Sequence, residues 1–445
     1  MSGTPEISQF VTAVFRAWQQ ANINFLVLRN YESLPHFTTN DIDVLVQPDE
    51  LARAERALLR AADLAGFRLH NRVQFATLAL YLSSPQSNAQ AHFDLFTSLK
   101  WRGFDFLACQ DFLQREVARD LFSIPHPADE TATKLLASLI YIGKVKEKYK
   151  SAIAAGCRME AVAITELLAP IYGAAHAKFL VDAAAEEKWD AIEAATGLLR
   201  RTLVLRQLSR HLWRTTKSLL ADARRFVGRL LRPPGVTVVM CGADGSGKST
   251  AAHAVIDGLE GTFPAQKVRH FHWKPPIFSG KRQAAREATT DPHSQLPRNP
   301  AVSLCYFGIH WLEFMLGSHL RLWPVTFRGG LVLIDRYYYD FFVDQRRYRL
   351  SVPSFVVRLG HVFLKKPDLV VLLDAPAEVL QGRKQEVPLE ETERQRQAYL
   401  ALVKGLPNGR VVDATQPPEK VGADITGAIL AFMAERTAKR RRARN

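Results

Sequence analysis

Residues 241–250 read CGADGSGKST, and the spacing Gly242-x4-Gly247-Lys248-Ser249 is what a loop needs to wrap a chain of phosphates. Glycine at Gly242, Gly245 and Gly247 lets backbone N–H groups turn toward an anion with no Cβ in the way, while Ala243, Asp244 and Ser246 fill the places between. Lys248 supplies a cation for the β- and γ-phosphates, Ser249 a hydroxyl for Mg²⁺, and Thr250 continues into a helix whose N-terminus adds positive potential. An apolar run, VTVVM (236–240), precedes the loop and a helical pattern follows it. That context separates the motif from a bare Gly/Ser-rich turn, so ATP and Mg²⁺ are expected.

Two further groups of residues have chemistry in their spacing. In LVLIDRYYYD, Asp335 stands where a buried strand ends, and Arg336 beside it can grip an anionic acceptor. Near the start of the chain, NDIDVLV places Asp41 and Asp43 two apart on a strand, so both carboxylates leave one face. Two carboxylates side by side repel unless a cation sits between them, which predicts a Mg²⁺ site with Asp94, in AHFDLF, as a third ligand.

The elements that must position these groups fall into regions of different period. Residues 1–124 alternate helical and strand signals: a helix near 7–20, strands at 24–29, 42–46, 75–82 and 91–96, and a helix near 49–65. Residues 125–232 lack strand signals and predict a helical connector. Its last part carries Leu205, Leu208, Leu212, Leu219, Phe226 and Leu230 at helical spacing among arginines and lysines. That stripe either packs between domains or lies on an acidic membrane surface, and packing is the default expectation. Pro233-Pro234-Gly235 ends it. Residues 233–435 then show short Val/Leu-rich strands at 236–240, 330–335, 368–374 and 410–414 with helices between, the pattern of a parallel sheet buried on both faces. Residues 436–445 read as a frayed basic tail.

Composition excludes several classes. Four scattered cysteines with no paired spacing argue against a disulfide framework or zinc site and suit a cytoplasmic protein. The apolar stretch 301–325 contains His310, Glu313, His319 and Arg321, so a buried or interfacial helix is expected rather than a span, and the N-terminus shows no secretory leader. A net charge of +15 favours anionic partners, though no nucleic-acid module is recognisable.

The phosphate loop, the Asp-Arg-Tyr element at 335–337, the basic segment beginning at Arg383 and VDATQPPEKV together resemble the thymidylate kinase family over about residues 236–435. The resemblance implies Asp335 and Arg336 on the acceptor side, Arg383 and Arg394 in a lid over the transferring phosphate, and VDATQPPEKV near the adenine. A solvated helix face is the other reading of the two lid arginines. Where that family carries an Arg-Glu-Pro-Gly segment for its nucleotide acceptor, this chain has RHFHWKPPIFSG (269–280) and a polar insertion to about 300. His270, His272, Trp273 and Lys274 there are candidates for acceptor contacts or packing; a His270–His272 metal pair is the less favoured alternative.

The stretch FLVLRNYESLP with DIDVLV resembles the nucleotidyltransferase superfamily over about residues 20–125, which implies metal-assisted nucleotidyl transfer at Asp41, Asp43 and Asp94. The Gly-Ser element that normally precedes the pair is replaced by Leu28-Arg29-Asn30, so a domain that binds without reacting stays open, as does a phosphate-gripping role for Arg29.

The expected fold is therefore α/β: a C-terminal P-loop kinase domain with a parallel sheet flanked by helices, a small α/β nucleotidyltransferase-like domain, and a helical connector. The expected function is phosphoryl transfer from ATP to a nucleoside monophosphate or related acceptor. Alternatives are a kinase acting on a sugar or glycan, with or without nucleotidyl transfer, and a nucleotide-gated binding protein. Expected partners are a nucleotide donor, a small anionic or sugar acceptor and, through 198–232, a membrane periphery; self-association is left open.

Overall fold

The computed structural model describes residues 5–36, 41–107, 109, 112–210, 212–275, 277, 293 and 296–443. Most of the expected polar insertion before residue 300 lies outside them. The chain divides into two compact units, Met1–Ser84 with Ala89–Gly228, and Pro85–Asn88 with Arg229–Asn445.

The first unit opens with α1 (Pro5–Gln20), β1 (Phe25–Val27), β2 (Ile42–Val46), α2 (Leu51–Leu64), β3 (Arg68–Gln74), β4 (Leu78–Ser83) and β5 (Gln90–Phe96). A small hairpin, β6 (Leu99–Trp101) and β7 (Phe104–Leu107), and two short strands, β8 (Val117–Ala118) and β9 (Ser123–Ile124), follow. Seven strands form one mixed sheet in the order β3-β4-β5-β2-β1-β9-β8. Helices α3 (Pro127–Ile142), α4 (Glu147–Met159), α5 (Ala161–Tyr172), α6 (Ala174–Ala185), α7 (Trp189–Ala194), α8 (Thr196–Arg210) and α9 (Leu212–Leu231) complete the helical region.

Side-chain alternation along β1 and β2 gives this sheet two cores. Phe25, Val27, Val44 and Val46 pack with Phe10, Val14, Trp18 and Leu58 of α1 and α2. Leu26, Leu28 and Leu45 turn the other way and join Leu135, Leu139, Leu168 and Leu199 of α3, α5 and α8. Helices α3, α5 and α8 share a core with the sheet, and residues up to Gly228 form one compact unit with it; the unit's end at 228/229 lies close to the boundary expected at 232/233. Helical periodicity showed where the helices are, but not which sheet face they cover.

The second unit contains β10 (Val236–Cys241), α10 (Lys248–Gly258), β11 (Val268–Phe271), α11 (Pro300–Gly317), α12 (Trp323–Phe327), β12 (Leu331–Asp335), α13 (Asp340–Val343), α14 (Ser354–Val362), β13 (Leu369–Asp374), α15 (Ala377–Arg383), α16 (Leu389–Lys404), β14 (Gly409–Asp413) and α17 (Pro418–Arg442). Its five strands run in the order β11-β12-β10-β13-β14, and every pairing is parallel. Alternation again sorts the residues. Val238 and Met240 join a core with Ala252, Val255, Ile425 and Ile429, whereas Val239 and Cys241 join one with Phe314, Tyr338 and Tyr399. A strand covered on both sides is apolar nearly throughout, which is why VTVVMC, Thr237 apart, alternates in direction but not in polarity.

The C-terminal residues depart from the expected frayed tail. Helix α17 continues to Arg442 because its cations have acceptors: Arg436 donates to the carbonyls of Gly235 (2.9 Å) and Pro234 (2.8 Å), and Thr437 is buried. Lys439 to Arg442 in the last turn also suit the negative end of the helix dipole.

The polar residues in the apolar stretch 301–325 also acquire a reason. His310 and Glu313 of α11 are buried around Lys274, whose Nζ pairs with Glu313 and donates to His310 Nδ1 at 2.8 Å. An imidazole nitrogen that accepts cannot be protonated, and burial, aided by Lys274, pushes His310 down from 6.5 to about 4. Between those values the unfolded chain binds the proton and the folded chain does not. Stability is therefore full above pH 6.5, falls as the pH drops through it, and levels off below 4, a loss on the order of 3 kcal/mol. His310→Gln keeps an acceptor for Lys274 without a titrating group. Its melting temperature is expected to change less than the wild type's between pH 7 and pH 5; equal changes would remove His310 from the acid response. Among the described residues no helix is long and apolar enough to cross a membrane.

Candidate functional site

The phosphate loop joins the central strand β10 to α10, at the carboxyl end of a parallel sheet and between strands that diverge to either side. This is where open α/β sheets hold ligands. Gly245 has φ +82°, and a Cβ there would come 2.5 Å from the Leu380 carbonyl oxygen; at Gly242, φ +148°, it would come 2.8 Å from that of Leu373. Glycine is thus required for the loop to lie against these two carbonyls. The first intrahelical bond of α10 runs from Ala251 N–H to the Gly247 carbonyl, and no side chain caps the turn before it. The N–H groups of Lys248, Ser249 and Thr250 therefore precede the helical ladder, and Ser249 and Thr250 are exposed. These features fit a polyphosphate with its Mg²⁺ ion.

Lys248 is buried and its ammonium is folded into the loop, donating to the Gly242 carbonyl (2.8 Å), the Ala243 carbonyl (2.9 Å) and Ser246 Oγ (3.1 Å). Burial, then Arg336, pushes it down to about 8 against the pull of Asp244, Asp340 and Asp335.

The neighbouring strand β12 delivers Asp335 level with Met240. Its carboxylate is buried, with His270 Nε2 at 3.1 Å and His272 Nδ1 at 3.7 Å. Among the described residues the two imidazoles are the groups that face it, and neither oxygen has a further hydrogen-bond partner. Burial raises its pKa, yet the two histidines prevail and hold it near 2.

Arg336 follows with φ +62°, a left-handed conformation unusual for arginine. Its N–H still bonds the Met240 carbonyl at 3.0 Å, so the strained residue turns its side chain inward just as the strand ends. The guanidinium pairs with Asp244 of the phosphate loop and reaches Asp340 Oδ2 at 3.4 Å. A second guanidinium, Arg347, also pairs with Asp244 and binds Glu386 Oε2 at 2.9 Å. Burial opposes ionisation of all three, but their mutual charges win: Arg336 is raised, and Arg336, Lys248 and Arg347 hold Asp244 well below the usual carboxylate range. Tyr399 and Tyr348 donate to Asp340 at 2.8 and 2.9 Å. Two arginines and a lysine therefore converge on one loop.

The other expected residues are placed differently. Arg383 donates to the Ala414 carbonyl at 2.9 Å, beside the DATQPP turn. Arg394 is half exposed on α16 and binds Glu391 at 2.7 Å and the Val343 carbonyl at 3.0 Å. Trp273 is buried and stacks on Tyr348 with ring centroids 4.6 Å apart, and Lys274 serves the buried cluster with His310. His270 and His272 face Asp335, and among the described residues neither belongs to a candidate metal group. Arg347, Asp340, Tyr348 and Tyr399 went unrecognised; the only sequence signal was the basic run RRYR (346–349) shortly after Asp-Arg-Tyr.

In the first unit, β2 and β5 run parallel with Asp43 opposite Asp94. Asp43 is buried and paired with Arg29, and burial still lifts it to about 6. The side chains that gather ligand atoms within 4.8 Å of one another are Asp41, His92 and Asp94. His92 stacks on Tyr81 at 3.9 Å and sets Nε2 3.3 Å from Asp94 Oδ1. The expected grouping of Asp41, Asp43 and Asp94 is therefore changed: Arg29 supplies the cation for Asp43, and His92 takes its place. Two carboxylates and an imidazole are a donor set suited to a divalent cation.

No protein-family model matches the chain. Among curated proteins it is similar to a thymidylate kinase of Thermosynechococcus vestitus, 28% identical over 219 residues, covering 45% of this chain and 88% of that one. A thymidylate kinase of Xylella fastidiosa is 26% identical over 211 residues, covering 44% and 88%. A probable thymidylate kinase of Thermococcus gammatolerans is 26% identical over 211 residues, covering 44% and 96%. The chain thus contains a thymidylate-kinase-like region over about 45% of its length, and these relatives support a nucleotide-kinase-like function.

Proposed function

We propose that the second unit transfers the γ-phosphoryl group of ATP to a nucleoside monophosphate or a closely related phosphorylated acceptor. The observation that carries this reading is the convergence of Arg336, Arg347 and Lys248 on the phosphate loop. Phosphoryl transfer needs little covalent help from a protein; it needs charge neutralised and oxygens aligned. The N–H groups at the start of α10 and Lys248 hold the donor phosphates. Ser249 would hold Mg²⁺, which would supply further charge neutralisation on the donor phosphates. Asp244 keeps both guanidiniums aimed at the loop before substrate arrives.

The state of Asp335 bears on the acceptor. A carboxylate held near 2 is a weak general base. An acceptor hydroxyl on a sugar calls for a base, whereas an acceptor phosphate is already anionic and calls for cations. This favours a phosphorylated acceptor, with Asp335 orienting rather than deprotonating it. Arg383 and Arg394 belong to this reading as lid residues that move inward on binding. The proposed location is the cytoplasm, where ATP is abundant.

For the first unit we infer a nucleotidyltransferase-like fold whose Asp41, Asp94 and His92 hold a divalent cation, while the Arg29–Asp43 pair removes one carboxylate from that role. This favours binding over turnover.

The test is incubation of the full chain with γ-labelled ATP and Mg²⁺ against thymidylate, other nucleoside monophosphates, sugar phosphates and free sugars. Label on a monophosphate, and its loss in Asp335→Asn with ATP binding retained, is the expected result. Label on free sugars alone would overturn the acceptor assignment, and ATP binding without transfer to any acceptor would leave the nucleotide-gated binding protein.

A further inference from the structure

Helix α9 is a long element with almost nothing packed on it. Of its 20 residues only Thr215 is buried. One narrow side holds it to the first unit, where Ser218 Oγ donates to the Gly103 carbonyl at 2.9 Å and accepts from Lys100 at 3.3 Å. Of the leucine stripe, Leu212, Phe226 and Leu230 on α9 are exposed and Leu219 is half-buried. Trp213 is 82% exposed, Leu220 66% and Leu231 75%, and Leu212, Val227 and Leu230 are exposed with them. At 100° per residue these six occupy roughly 100° of the circumference, an apolar face along a helix about 30 Å long.

The flank beside that face is cationic. Arg214, Lys217, Arg224 and Arg232 are exposed, and the one acid in the helix, Asp222, is paired with Arg225. A partner for this surface must accept apolar side chains and positive charge together. Nucleic acid would satisfy the arginines and leave the leucines and tryptophan in water. An anionic lipid surface takes both: the apolar face sinks to the headgroup–acyl boundary, the cations remain among the headgroups, and a tryptophan such as Trp213 suits the boundary itself.

We propose that α9 is an in-plane anchor that docks the protein on an anionic lipid bilayer. This inference does not depend on the kinase reading. It requires no spanning segment, and the length and charge of α9 suit lying on a surface rather than crossing it.

The experiment is co-sedimentation of the full chain with vesicles of phosphatidylcholine alone and of phosphatidylcholine mixed with phosphatidylglycerol, with tryptophan emission recorded in parallel. Expected are binding to the anionic vesicles, weakening at roughly 0.5 M salt, and a blue shift that Trp213→Phe removes. Leu220→Glu with Val227→Glu should weaken binding tenfold or more, by order of magnitude. Arg214→Gln and Lys217→Gln should each weaken it roughly fivefold. These positions are exposed, so an unchanged circular dichroism spectrum and melting temperature of the full chain serve as the folding control. Absence of vesicle binding, equal binding to neutral vesicles, or binding indifferent to the glutamate pair would each overturn the proposal. Binding to heparin or RNA without binding to vesicles would overturn it too, and would assign the basic flank to a polyanion.

Discussion

Arg336→Ala is expected to lower kcat/KM roughly 10³-fold, the scale seen when a guanidinium that stabilises a transferring phosphoryl group is removed. It should also destabilise the second unit, because Asp244 and Asp340 would stay buried with one cation fewer. Removing one partner of such a group costs about 3–5 kcal/mol, and here the lower end applies, since Arg347 still serves Asp244 and two tyrosines still serve Asp340. The two effects separate in the double variant Asp244→Ala/Arg336→Ala. Removing the stranded carboxylate should return about 1–3 kcal/mol of stability through the coupling of paired groups. Transfer should not return with it. Denaturant midpoints and initial rates on the four proteins of that cycle provide the check. If activity recovers together with stability, Arg336 is a structural residue and its place on the acceptor side is lost.

Lys248→Ala should act on the donor instead. The ammonium now bonds three acceptors of its own loop, so the folded protein holds it ready but engaged. Charge-assisted bonds to phosphate are worth about 1.5–3 kcal/mol each, and loss of that cation should weaken ATP binding about 10- to 100-fold, with a further fall in turnover. The loop itself should keep its shape, because Gly242 and Gly245 already set it and Ala243 retains its bond from Ser246 N–H. Calorimetric titration with ATP reads the affinity, and an unchanged value would remove Lys248 from the donor site. The two variants predict opposite profiles: Arg336→Ala should spare ATP binding more than transfer, whereas Lys248→Ala should weaken both.

Several features were legible in the letters because they are local. A phosphate loop is one continuous run, its glycines and lysine fixed by spacing. The strands at 42–46 and 236–240 were legible because a buried strand is a short apolar run bounded by breakers. Asp335 and Arg336 were legible as a strand end beside that loop. His92 was missed although its signal was present: His92 and Asp94 are two apart on β5 and share a face, as Asp41 and Asp43 do on β2. Reading only for carboxylates concealed it.

What the sequence by itself determined is the kind of chemistry available: a phosphate-holding loop, a parallel sheet to carry it, a carboxylate and an arginine at the next strand's end, and an excess of positive charge. Tertiary structure alone decided which charges meet. Arg347 reaches Asp244 across 103 residues of chain, Arg29 takes Asp43 out of the acidic pair, and α3 to α8 join the first sheet's core. Periodicity specifies which face of an element is apolar, but the partner that covers it is set by how elements pack over long separations. For the same reason α9 looked in sequence like any helix with a core to find, and only the folded chain left its apolar face exposed.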